Sequence, residues 1–70
     1  MHKQLPILFP AKIETLQEGE VFTLYNRDQH FKVREHFYDG NPETKAVNIT
    51  DCTKLILIPH GTICLPVNNV

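Results

Sequence analysis

Two runs rich in β-branched and aromatic residues, Glu20 to Tyr25 and His30 to Phe37, flank the short polar stretch Asn26-Arg27-Asp28-Gln29. Such runs joined by a connection carrying Asn and Asp predict a β-hairpin. In the second run strict alternation assigns Phe31, Val33 and Phe37 to a core-facing side, with Glu35 among them. His30, Lys32, Arg34, His36 and Tyr38 fall on the opposite side. The first run sets Phe22 and Leu24 on one face and Val21 and Tyr25 on the other, so it should be covered on both sides, as in a small barrel.

The rest of the chain continues the pattern. Lys45 to Thr50 alternates, with Val47 and Ile49 expected inward and Ala46 and Asn48 outward. After the polar turn Thr50-Asp51-Cys52-Thr53 comes Leu55-Ile56-Leu57-Ile58, an uninterrupted apolar run suited to a central strand. At a sheet edge the same run would template association, and Lys54 and Pro59 bracket it as gatekeepers. Asp39-Gly40-Asn41-Pro42-Glu43 is the strongest turn signal, Pro59-His60-Gly61 is another, and Thr62 to Leu65 makes a last short strand.

Residues Ala11 to Glu18 carry two readings. One is an extended segment over Lys12 to Thr15 followed by a tight turn at Gln17-Glu18-Gly19; the other is a short helix placing Ile13 and Leu16 on one face. Leu5, Ile7, Leu8 and Phe9 are too apolar to leave in water, and Pro6 and Pro10 suit an edge strand or an arm lying across the sheet. The expected architecture is all-β: a small five- to six-stranded antiparallel, partly open barrel of SH3-like or OB-like kind. Residues 1–10 form an N-terminal arm, 11–67 the single domain and 68–70 a tail.

Composition narrows the function classes. At 70 residues a domain buries only about 60% of the surface its unfolded chain exposes, so the core is thin and a covering partner is in keeping with it. A hydrophobic content of 41% with 21% charged residues argues for a folded chain. A formal net charge of −1 supplies no overall field toward nucleic acid or an anionic membrane. The apolar N-terminal run is too short and too proline-broken for a membrane span, and no signal-peptide cleavage pattern follows it, so a cytoplasmic protein is expected. Cys52 and Cys64 then stay reduced. The glycosylation pattern Asn48-Ile49-Thr50 needs secretion and is set aside.

Candidate chemistry is sparse. The chain has no serine, which excludes every serine-nucleophile scheme. His30 and His36 would lie about 20 Å apart along one strand and cannot share a metal ion. Cys52, His60, Cys64 and His2 are ligand types, but their spacing matches no zinc motif, so neither metal nor cofactor is inferred. A Cys64–His60 nucleophile pair would sit across a turn with no oxyanion hole suggested. Glu35 between Val33 and Phe37 is either a carboxylate with a perturbed environment or one at the rim of the core.

The elements Leu16-x-x-Gly19-x-x-Phe22-x-Leu24, Phe31-x-Val33, Ala46-Val47-Asn48 and Ile58-Pro59 resemble those of short uncharacterised cyanobacterial and phage-type small β-barrel proteins, over roughly residues 13–67. The resemblance implies a fold and a bacterial or phage setting. It brings no activity and no site residues.

The functional expectation is a non-enzymatic interaction module that uses an edge strand or hydrophobic rim to contact a protein partner or a second copy of itself. The alternative is a nucleic-acid-binding accessory protein using the basic and aromatic face of His30, Lys32, Arg34, His36 and Tyr38. An enzyme ranks below both, because so short a chain leaves little room for a cleft with supporting residues.

Overall fold

A computed structural model describes residues 9–25 and 28–67. Six antiparallel strands form one sheet: β1 (Ala11–Lys12), β2 (Val21–Thr23), β3 (His30–Phe37), β4 (Glu43–Asn48), β5 (Leu55–Pro59) and β6 (Ile63–Pro66), in the order β1-β6-β2-β3-β4-β5. The sheet is all-β as expected, but it does not close into a barrel. Among the described residues β1 and β5 each pair on one side only.

The expected hairpin is β2–β3, with Phe22 opposite Phe31 and their ring centroids 5.9 Å apart. Its connecting residues Asn26 and Arg27 lie outside the described residues, as do the arm up to Leu8 and the tail from Asn68. Phe9, the one arm aromatic that is described, is 89% exposed instead of packed. Both readings of Ala11 to Glu18 contain part of the outcome. The chain is extended at Ala11–Lys12, makes a single 3-10 turn at Ile13–Thr15 that buries Ile13 and Leu16, and then turns at Gln17–Glu20, with Gly19 at φ 92°.

The core is one cluster of Ile13, Leu16, Phe22, Phe31, Val33, Ala46, Ile58 and Cys64, with Ala11, Leu24 and Ile56 against it. Val21 and Val47, either side of Lys32 in the register, are buried outside that cluster, so β2 is indeed covered on both faces. Gly40 takes φ 69° in the β3–β4 turn, a region that side-chain-bearing residues rarely adopt.

Two assignments reverse. In β4 the inward residues are Ala46 and Asn48, both buried, while Ile49 is 45% exposed. Asn48 has a reason to point in: its Oδ1 accepts the N–H groups of Thr50 and Asp51 and shapes the turn into β5. Asp51 Oδ1 accepts from the Thr53 hydroxyl and N–H in the same turn. The second reversal is the apolar run Leu55-Ile56-Leu57-Ile58, which lies at the sheet edge and not at its centre.

Candidate interaction edge and the split face of strand β3

The register of β3 against β4 determines what the sequence-derived face becomes. Val33 lies opposite Ala46, yet Glu35 lies opposite Lys45, so Arg34 is an extra residue, a β-bulge. Side-chain alternation therefore inverts after Arg34. Upstream, Phe31 and Val33 point into the core; downstream, His36 does so, opposite the fully buried Thr44. Glu35 and Phe37 move to the outer face instead. There Glu35 stands 4.0 Å from the Lys45 ammonium, which in turn lies 5.9 Å from the Phe37 ring centre.

The five residues expected on one face are thus not brought together. His30 and Lys32 remain on the outer side, Arg34 is exposed at the bulge, and His36 sits on the inner side, where Tyr38 packs against it at the end of the strand. The rings of His36, Tyr38 and His60 form a cluster, with centroids 5.8 Å apart for His36 and His60, 5.3 Å for Tyr38 and His60 and 6.1 Å for His36 and Tyr38. Strict alternation carried one warning of this. It placed the Glu35 carboxylate in the core between Val33 and Phe37, and a one-residue insertion removes that conflict. Nothing in the sequence pointed to Thr44 or to His60 as companions of His36.

Both nitrogens of His36 are engaged. Nε2 is 2.6 Å from the Leu16 carbonyl, which can only accept, so this nitrogen carries a proton. In the neutral ring Nδ1 then accepts from the Thr44 hydroxyl, also at 2.6 Å. The imidazole is a polar strut joining β3, β4 and the 3-10 turn, and it has no lone pair left for a metal or a proton transfer. His60 Nε2 is buried and has no hydrogen-bond partner among the described residues, while the neighbouring Gly61 N–H donates to Glu14 Oε1. That hydrogen bond is the main reason the Glu14 carboxyl is held below the ordinary carboxylate range, and the charges of His60 and Lys12 act in the same direction.

The cysteines are separated in environment. Cys52 is exposed in the β4–β5 turn, and Cys64 is buried in the core, where burial pushes its thiol up to about 11. Among the described residues no group of three or more His, Cys, Asp or Glu side chains is placed to hold a metal ion. No helix among them is long and apolar enough to cross a membrane.

The most distinctive exposed element is β5. Its pairing with β4 sets Ile56 opposite Ala46 and Ile58 opposite Thr44. Just beyond the strand ends Asn48 N–H donates to the Lys54 carbonyl, and His60 N–H to the Pro42 carbonyl. Because hydrogen bonds in an antiparallel pair fall on every second residue, the even-numbered residues of β5 bond to β4. The N–H and C=O groups of Leu55 and Leu57 therefore point away from the sheet. Pro59 takes the same outward phase, where its missing N–H costs no ladder bond. The Leu55 and Leu57 side chains are 57% and 56% exposed on the outer face. The opposite edge differs: β1 has two residues and turns directly into the 3-10 segment, which leaves little edge to pair.

Comparison of the chain with known protein families, with curated proteins and with solved structures finds no match.

Proposed function

We propose that this protein is a non-enzymatic interaction module that docks by strand addition at the edge of β5 that is unpaired among the described residues. The observation that carries the reading is the combination at Leu55 and Leu57 of outward-pointing backbone groups with half-exposed apolar side chains. Main-chain groups at such an edge supply affinity, and the alternate side chains supply selectivity. Natural sheets usually blunt an edge of this kind with charge, bulges or brevity. Among the described residues only Lys54 and Pro59, at its two ends, do so, and the centre of the strand is left open.

A non-enzymatic role is supported by the dispersal of the reactive groups. Cys64 is buried with its thiol held protonated, Cys52 stands in a distant turn, and His36 has both ring nitrogens occupied. In fold terms the reading is an SH3-like or OB-like module opened along one side. The meander from β2 to β5, with β6 returning alongside β2, supports it.

The test is photo-crosslinking in the native host, with a photoreactive phenylalanine analogue substituted at Leu57 and, separately, at Lys32. The expected result is protein adducts from position 57 and few from position 32. Nucleic-acid adducts from position 32, with none from position 57, would overturn the edge reading in favour of the basic outer side of β3.

A further inference from the structure

We infer that the partner of the β5 edge is a second copy of the same edge, paired antiparallel across a two-fold axis that passes through Ile56. The inference rests on the edge reading above and adds the occupant and the register. It follows from the hydrogen-bonding phase of β5 and from the placement of charge beside it.

An antiparallel pair of identical strands must be centred on a residue, and the outward phase of Leu55, Leu57 and Pro59 limits the choices. Centring on Leu57 sets Leu55 against Pro59, which has no N–H, so the Leu55 carbonyl of each copy goes unpaired. It also sets Lys54 of one copy against His60 of the other, two basic side chains face to face. Centring on Ile56 sets Leu55 against Leu57 reciprocally. Every N–H and C=O of both residues in both copies then finds a partner. Lys54 falls opposite Ile58, so no like charges meet, and the stretch from Leu55 to Pro59 carries no charge of its own.

The side chains agree with the backbone. Leu55 and Leu57 of both copies form a continuous apolar patch on the outer face, beside Val47 and the aliphatic stem of Lys45, which lie next to them in the β4 register. On the inner face the half-buried Ile56 of each copy meets its equivalent at the axis. A contact between two such short strands falls below the ~1,000 Å² expected of a permanent interface, so the dimer is reversible and depends on concentration.

The experiment combines solution mass with crosslinking, in the full chain carrying Cys52→Ala so that the exposed native thiol does not interfere. Ile56→Cys places two thiols at a non-hydrogen-bonded pair with Cα atoms about 4.5 Å apart, within disulfide reach. Mild oxidation should therefore give a covalent dimer from Ile56→Cys and much less from Leu57→Cys. Light scattering of the protein with a native edge should show mass rising from monomer toward dimer with concentration, and Leu57→Lys should weaken this association at least about tenfold. That second comparison does not depend on how well the Ile56→Cys chain folds. A covalent dimer from Leu57→Cys in preference to Ile56→Cys would overturn the register. A monomer at every concentration up to the millimolar range would overturn self-pairing, while adducts to a different protein at position 57 would still uphold the edge reading.

Discussion

The two halves of β3 enter the same interior by different means. Before Arg34 the strand delivers Phe31 and Val33, each 1% exposed, opposite Phe22 and Ala46, and the cohesion is apolar burial. After Arg34 it delivers an imidazole, and the cohesion is a pair of hydrogen bonds, one donated by His36 Nε2 to the Leu16 carbonyl and one accepted by Nδ1 from the Thr44 hydroxyl. The bulge lets one strand serve an apolar centre and a polar end without stranding a buried polar group at His36. It also fixes the outer face: with Glu35 and Phe37 turned outward, Glu35, Lys45 and Leu57 fall in one cross-strand row leading to the β5 edge.

The most drastic way to break this difference is to remove the bulge. Inserting an alanine between Lys45 and Ala46 would give Arg34 a residue opposite it, and strict alternation from Val33 and Ala46 would then turn Glu35 and Lys45 inward and His36 and Thr44 out to solvent. The charged groups of Glu35 and Lys45 would then face the interior where the imidazole now satisfies two partners, and the loss is expected to exceed the small stability of a 70-residue domain. The insertion variant should show no cooperative thermal transition by circular dichroism. A variant that still melted cooperatively would mean that β3 and β4 can re-register at little cost.

A smaller perturbation isolates the polar half. His36→Ala leaves the Thr44 hydroxyl and the Leu16 carbonyl without their partner, for an expected loss of about 2–3 kcal/mol in denaturant unfolding. His36→Asn can accept from Thr44 and His36→Gln can donate to Leu16, because their amide atoms correspond to Nδ1 and Nε2 respectively. Each should recover part of the loss. If neither improves on alanine, the ring acts by filling space beside Tyr38 and His60 and not through its nitrogens.

The same division explains what could be read from the residues. The hairpin, the turns at Gly40 and Gly61, the two-sided burial of β2 and the all-β class follow from local propensity and short-range pattern, and the structure has them. The bulge does not follow, since its one trace in His30 to Phe37 is a glutamate on the apolar side at Glu35, and the inserted residue itself shows only in the partner strand's register. Placement of Leu55 to Ile58 also lay beyond the pattern. A continuous apolar run fits a strand covered on both faces, and whether another strand lies beyond it is decided by topology, not by its own residues. The Asn48 reversal arose because a side chain that closes a turn outweighed a β-branched neighbour's preference for the interior.

The outer face provides the smallest and sharpest contrast with the polar strut inside. Glu35 and Lys45 form an ion pair at 4.0 Å, with side-chain exposures of 53% and 37%. Water screens such a pair, and holding two long side chains in one arrangement costs entropy, so its worth is at most about 0.5 kcal/mol. Glu35→Gln should therefore leave the denaturant midpoint nearly unchanged, and added salt should make no further difference. The Lys45 ammonium is also drawn toward the Phe37 ring, which leaves the ammonium a favourable position when the carboxylate is neutralised. A loss of more than about 1 kcal/mol would show that Glu35 is not the solvated partner described and that the inversion of β3 at Arg34 is incomplete.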